Sequence, residues 1–318
     1  MILSVSRRTD IPNYYSDWFF NRIREGYLYV RNPMNFHQVS KISLEPALVD
    51  CIVFWTKNPA SMMDRLAELE KYHYYFQFTL TGYGKDLEPN VPHKKKEMIP
   101  TFQELSRRIG RERVIWRYDP ILLTERYTIE YHVKAFEEIA RELEGYTQKA
   151  VISFVDFYNK MKYKGVYLKE MKEEDCHFLA GKMAESARAH HMKIASCAEN
   201  MDLSAYGIAH NSCIDKALIE TIIGCSIKAG KDKNQREACG CVESIEVGTY
   251  DTCQNGCKYC YANNSDSRVK SRISRYNPLS PLLCGEITAE DNVTERKVKS
   301  LREEQIRYPL QSHSKRRI

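Results

Sequence analysis

Seven short runs of apolar, β-branched or aromatic residues punctuate the chain: ILSVS (2–6), CIVFW (51–55), YYFQFTL (74–80), VIWRY (114–118), AVISF (150–154), KIAS (193–196) and SIEVG (244–248). Amphipathic stretches with helical spacing lie between most of them, at 59–71, 97–109, 128–143 and 173–190. In 128–143, for instance, Ile129, Val133, Phe136, Ile139, Ala140 and Leu143 fall on one helical stripe. Strands spaced by helices build βαβ units, and runs this apolar suit a parallel sheet buried on both faces. With seven such strands in 318 residues, the expected fold is α/β, a partial parallel (β/α) barrel rather than a small open sheet.

Barrels of this kind gather their chemistry at the C-terminal ends of the strands. Those ends are polar here. RRTD (7–10) follows the first run, TKNP (56–59) the second, and VIWRYDP (114–120), ISFVDFYNK (152–160) and KIAS-CAEN (193–200) repeat the plan. Helix starts want polar caps anyway, so one such end says little. Together they predict one functional mouth, with Arg7, Arg8, Asp10, Thr56, Lys57, Arg117 and Asp119 as candidates to bind substrate or cofactor. Lys57, Arg117 and Asp119 are the catalytic candidates. A structural ion pair is the competing reading of Arg117 with Asp119.

The last run leads into DTCQNGCKYCYAN (251–263), which places Cys253, Cys257 and Cys260 within eight positions. A disulfide framework, a zinc site and an iron–sulfur cluster compete for them. The N-terminal apolar run is far too short for a signal peptide, and no stretch approaches the roughly 20 apolar residues of a membrane helix. The expected compartment is therefore the cytoplasm, where clustered thiols read as metal ligands or catalytic groups rather than as disulfides. No histidine lies between residues 211 and 312, which leaves a compact zinc finger poorly supported. Three thiolates from one tight loop suit three irons of a [4Fe–4S] cube and leave the fourth iron open.

The C-x3-C-x2-C spacing, with Tyr259 before the third cysteine and YCYAN continuing, resembles the signature of the radical S-adenosylmethionine (radical SAM) superfamily. The resemblance implies a [4Fe–4S] cluster on Cys253, Cys257 and Cys260, with S-adenosylmethionine bound at its open iron. It also implies reductive cleavage to a 5′-deoxyadenosyl radical inside a partial barrel, and an electron donor such as flavodoxin or ferredoxin. Tyr259 and Glu199 are the candidates for contacts to the cofactor. Members of that superfamily carry the loop early in the chain, whereas here it lies near residue 255. A circular permutation reconciles the two, and predicts SIEVG beside ILSVS in the sheet. Residues 49–122, with FWTKNP, FTLTGYGKDLEPNVP and VIWRYDPIL, resemble the spore photoproduct lyase-like branch. The arrangement of nearly the whole chain resembles the uncharacterised DUF1848 family. One permuted barrel over residues 1–263 and a C-terminal extension with a basic tail over 264–318 is the expected organisation.

Four further cysteines, Cys197, Cys213, Cys239 and Cys241, would form a second metal site, an auxiliary iron–sulfur cluster or zinc, if their loops meet. Ordinary small buried residues are the bland alternative. A five-residue strand between Cys241 and Cys253 would put Cys239 and Cys241 at the opposite end of the barrel unless KAGKDKNQRE (228–237) folds back. Cys51 and Cys176 are expected in the core, and His190-His191 at a solvated helix end. A formal net charge of +6, partly from the terminal SHSKRRI, permits a nucleic-acid partner without requiring one. The leading function is a radical SAM enzyme of unassigned substrate, with a nucleic-acid lesion the natural guess from the lyase branch. A non-catalytic, zinc-stabilised nucleic-acid-binding protein is the alternative.

Overall fold

A computed structural model of the chain describes residues 1–155 and 165–303. Two parts of the sequence reading, the DFYNK end of ISFVDFYNK and the basic tail at 312–318, lie outside these residues.

All seven predicted runs form strands: β1 (Ile2–Val5), β4 (Cys51–Thr56), β5 (Tyr74–Thr79), β6 (Val114–Ile121), β7 (Lys149–Phe154), β8 (Lys193–Ser196) and β10 (Ile245–Glu246). With β9 (Ala209–His210) they make an eight-stranded sheet in the order β10-β1-β4-β5-β6-β7-β8-β9, parallel at every pairing. The order follows the chain in one direction, except that the late strand β10 is added outside β1. Leu3 pairs with Ile245 and Ser4 with Glu246, the neighbourhood expected of SIEVG and ILSVS. The strand is shorter than its sequence run, two residues rather than five.

Helices α1 (Ile11–Tyr14), α2 (Ser16–Glu25), α3 (Ala60–Met63), α4 (Ile99–Ile109), α5 (Ile129–Leu143) and α6 (Glu173–Ala189) cover one face of this sheet, α7 (Lys216–Ile223) packs on the other, and α8 (Asp266–Ile273) follows later in the chain. Thr128 caps α5 by accepting from the Tyr131 N–H at 3.2 Å, as a threonine before an amphipathic run should. The period-two alternation of the strands divides the core in two. Leu3, Val5, Ile52, Phe54, Phe76, Phe78, Val114 and Trp116 pack with the helices. Their alternates Ile2, Cys51, Val53, Tyr75, Ile115 and Val151 pack on the other face, against Ile214, Ile219, Ile227 and Val242 from the segment after β9. The 59–71 stretch is less regular than its pattern suggests, a four-residue helix and a separate 3-10 turn at Leu66–Leu69.

The sequence reading did not anticipate a second, three-stranded sheet of β2 (Tyr27–Arg31), β3 (Gln38–Ser43) and β11 (Asn292–Glu295). Through β11 the C-terminal segment joins a sheet begun before residue 45. It also packs against the first turns of the chain, with the Trp18 indole donating to the Ser280 carbonyl at 2.8 Å. Asp50, 1% exposed, accepts both the N-terminal ammonium at 2.5 Å and the Leu301 N–H at 2.8 Å. Among the described residues no helix is long and apolar enough to cross a membrane.

Candidate metal and cofactor site

The same alternation that buries Val53, Tyr75 and Ile115 turns Trp55, Gln77 and Arg117 to the same face, further along their strands. At the C-terminal ends of the strands this face opens into a cavity of about 1150 Å³. Every site residue expected from the sequence lines it: Lys57, Arg117, Asp119, Glu199, Tyr259, the three loop cysteines and the four others. Seven of the eleven cysteines of the chain therefore face one space. Cys51 and Cys176 are buried elsewhere, as expected of core residues.

The loop with Cys253, Cys257 and Cys260 leaves β10 and is held from three sides. Tyr15 donates to the Thr252 carbonyl at 2.6 Å, and Tyr14 to Asn255 Oδ1 at 3.0 Å. The loop after β5, which carries the end of FTLTGYGKDLEPNVP, holds it from a second side. Asn90 Nδ2 donates to the Gln254 carbonyl at 2.7 Å, and the Lys258 N–H to the Leu87 carbonyl at 3.0 Å. Gly256 turns the loop at φ +67°, and a β-carbon there would press on Asn90 and Pro89 at 3.1 Å. The third hold is Asp10, which accepts from the Thr56 hydroxyl at 2.6 Å, the Lys57 N–H at 2.8 Å and Asn255 Nδ2 at 3.0 Å. Burial keeps the Asp10 carboxyl above its ordinary range despite these donors.

Beneath Cys257 lies a buried ionic knot that the sequence reading did not name. Glu88, 1% exposed, accepts from Lys57 Nζ at 2.7 Å, from Thr81 Oγ1 at 2.9 Å, and at closer range from Lys94 Nζ and the Tyr259 hydroxyl. Burial would raise the Glu88 carboxyl, but the two ammonium groups outweigh it and hold it down at about 2. Burial would likewise lower Lys57, and Glu88 reverses that, so Lys57 stays a cation beside the Cys257 thiol. The phenol of Tyr259 is thus committed to anchoring the loop. Burial pushes Cys257 up to about 12 as a free thiol, and Cys253 up as well, with Cys260 and Cys257 adding to the effect on Cys253.

Arg117 and Asp119 form the ion pair that the sequence left as an alternative. Arg117 Nε reaches Asp119 Oδ1 at 3.1 Å and its second nitrogen binds Oδ2, while Nη1 donates to Cys213 Sγ at 2.8 Å. Its fork is therefore occupied. Arg7 is different. Its guanidinium lies 5.3 Å from the centre of the Trp55 ring, and Nη2 is buried with no hydrogen-bond partner among the described residues. Glu199 accepts from the Phe154 N–H at 2.8 Å at the rim. His190 caps α6 and contacts Glu137 at 2.9 Å and Glu144 at 3.0 Å, away from the cavity.

Cys239 and Cys241 are not at the far end of the strands. Because β10 spans two residues, the chain between Cys241 and Cys253 covers little of the sheet's depth, and residues 228–243 fold back. Lys231 bridges Val242, and the Asp232 N–H donates to the Cys241 carbonyl at 2.9 Å, so KAGKDKNQRE is a structured turn rather than a loose crossing. Among the described residues no group of three or more His, Cys, Asp or Glu side chains is disposed to hold a single metal ion. A cube offers each thiolate a separate iron, so its ligands need not converge on one point. Three soft thiols on one braced loop, lining one cavity beside a fixed cation, fit such a group.

Residues 2–262 match the family model described as Domain of unknown function (DUF1848). No curated protein matches the chain. A solved structure from Bacteroides thetaiotaomicron VPI-5482, provisionally described as an alpha-L-fucosidase, aligns at 13% identity over 50% of this chain and 68% of that one. Its TM-score of 0.25 is too low to carry a structural argument.

Proposed function

The chain belongs to the DUF1848 family, which brings no assigned reaction, and we propose from its residues that it is a radical SAM enzyme on a circularly permuted barrel. In this reading residues 1–263 are the barrel and 264–318 an extension. One observation carries it: the cysteine loop leaves a strand hydrogen-bonded outside β1 and opens into the cavity lined by the polar residues that follow β1, β4 and β8 and end β6.

Cys253, Cys257 and Cys260 would ligate a [4Fe–4S] cluster, and S-adenosylmethionine would lie in the cavity beside it. When bound, the pair supplies a 5′-deoxyadenosyl radical by reductive cleavage of the sulfonium, with electrons from a partner such as flavodoxin or ferredoxin. The remaining work belongs to the chain. Lys57, kept protonated by Glu88, favours thiolate over thiol at Cys257. Asp10, Asn255 and Tyr259 fix the loop so that its thiols face the cavity. Arg7 offers an unspent donor to a carboxylate or to an anionic substrate, and Arg8, stacked 4.5 Å from the Tyr250 ring, adds a second cation at the rim. A negatively charged substrate such as a nucleic-acid lesion suits these charges. Arg117 and Asp119, paired with each other, position the wall rather than clamp a ligand.

The test is anaerobic reconstitution with iron and sulfide. The expected protein is brown, with iron–sulfur charge-transfer absorbance that falls away in each of the Cys253→Ala, Cys257→Ala and Cys260→Ala variants. A colourless protein that binds zinc through the same cysteines would support the non-catalytic alternative instead.

A further inference from the structure

We infer that Cys197, Cys213, Cys239 and Cys241 form a second, four-thiolate metal centre in the wall of the same cavity. The four come from three separate places, the end of β8, the turn after β9 and the folded-back segment before β10, yet all four line the same cavity. Cys197 Sγ is 3.1 Å from Cys213 Sγ, and the Ile214 N–H next to Cys213 reaches Cys241 Sγ at 3.3 Å. The close approach of the C-G-C segment depends on Gly240, where a β-carbon would meet Ser212 Oγ at 2.5 Å. The Ser212 hydroxyl instead donates to the Gly240 carbonyl at 2.8 Å and ties the two segments together.

Nitrogen donors point at two of these sulfurs. Arg117 Nη1 donates to Cys213 Sγ at 2.8 Å and Asn211 Nδ2 does so at 3.4 Å. The Ile214 backbone N–H donates to Cys241 Sγ at 3.3 Å, and the Arg7 guanidinium interacts with the same sulfur. A neutral thiol is a weak acceptor, so the buried Arg117, the partly exposed Arg7, a carboxamide and a backbone amide shared between two thiols gain little. Aimed at metal-bound thiolates, the same donors balance charge and orient ligands. Four soft sulfurs with no carboxylate or imidazole among them select an iron–sulfur cluster or zinc, and since no three of them are disposed around one point, a cluster with one thiolate per iron suits them better than a single zinc ion. The competing arrangement is a disulfide between Cys197 and Cys213. Their present separation is well beyond a bond of about 2.05 Å.

A protein carrying Cys253→Ala, Cys257→Ala and Cys260→Ala together removes the loop ligands and separates this centre from the proposed cluster. Purified anaerobically, it is loaded with ferrous iron and sulfide in one arm and with zinc in the other, desalted, and assayed for bound metal. The expected result is metal retained in one arm and lost on adding Cys213→Ser. Retained iron and sulfide would identify a cluster, and retained zinc a mononuclear site. A triple variant that keeps no metal in either arm overturns the centre, as does metal indifferent to Cys213→Ser. The unmutated, full-length chain gives an independent measurement. Its Cys197, Cys213, Cys239 and Cys241 should resist alkylation until a chelator is added. Alkylation at the same rate with and without chelator, or a Cys197–Cys213 disulfide in a metal-free chain, would overturn the inference even where the variants fail to fold.

Discussion

Replacing Glu88 with glutamine isolates the buried charge that braces the cysteine loop. The change keeps a carbonyl for Thr81 and Tyr259 but leaves Lys57 and Lys94, whose side chains are 11% and 18% exposed, with no carboxylate between them. Removing one partner of a buried pair typically costs about 3–5 kcal/mol. The depression of Glu88 from 4.5 to about 2 gives a second route to the size, about 3 kcal/mol at roughly 1.4 kcal/mol per unit. The folded-state value is the lower one, so this stability is complete above pH 4.5 and drains away as pH falls toward 2. Urea titrations of the wild type and Glu88→Gln at a series of pH values should therefore differ by about 3 kcal/mol at neutral pH, converging as Glu88 itself protonates. Equal stability at pH 7, or a gap that persists undiminished near pH 2, would refute the ionic account of the knot. A Lys94→Met change in the Glu88→Gln background should recover part of the loss, because one unpaired ammonium is then gone.

Two further outcomes follow from local geometry. A β-carbon on Gly248 would stand 2.5 Å from Ser6 Cβ. Gly248→Ala should thus destabilise by about 1–3 kcal/mol in chemical denaturation, and by less in a Ser6→Gly background, where equal costs would show that the two residues are not in contact. His132 is buried between the Tyr118 hydroxyl and the Leu122 carbonyl, both 2.9 Å from its ring nitrogens, and burial pushes it down to about 4. Its contribution to stability is complete above its ordinary 6.5 and is lost as pH falls through 4. An NMR titration of the ring should give a midpoint near 4, and a midpoint near 6.5 would show the ring to be solvated.

The sheet was legible because its strands are buried on both faces and so read as unbroken apolar runs, from CIVFW to AVISF. The second sheet was not. YLYVR and QVSKIS are half-exposed, and their partner β11 is exposed along its length and some 250 residues away. The site residues announced themselves by position at the strand ends and by cysteine spacing, and all of them line one cavity. Glu88 stayed hidden although its stretch was quoted, since a lone glutamate in a loop gives no sign of two lysines closing on it from positions 57 and 94. The fold-back of Cys239 and Cys241 was open in the sequence because it turned on how much of SIEVG pairs. Two residues do, and that brings the C-G-C segment to Cys213.

The proposed activity is tested most directly by incubating the anaerobically reconstituted chain with S-adenosylmethionine and dithionite and analysing the products. The expected result is 5′-deoxyadenosine from the wild type and none from Cys257→Ala. A wild-type protein that carries its loop iron yet yields no 5′-deoxyadenosine would contradict the assignment.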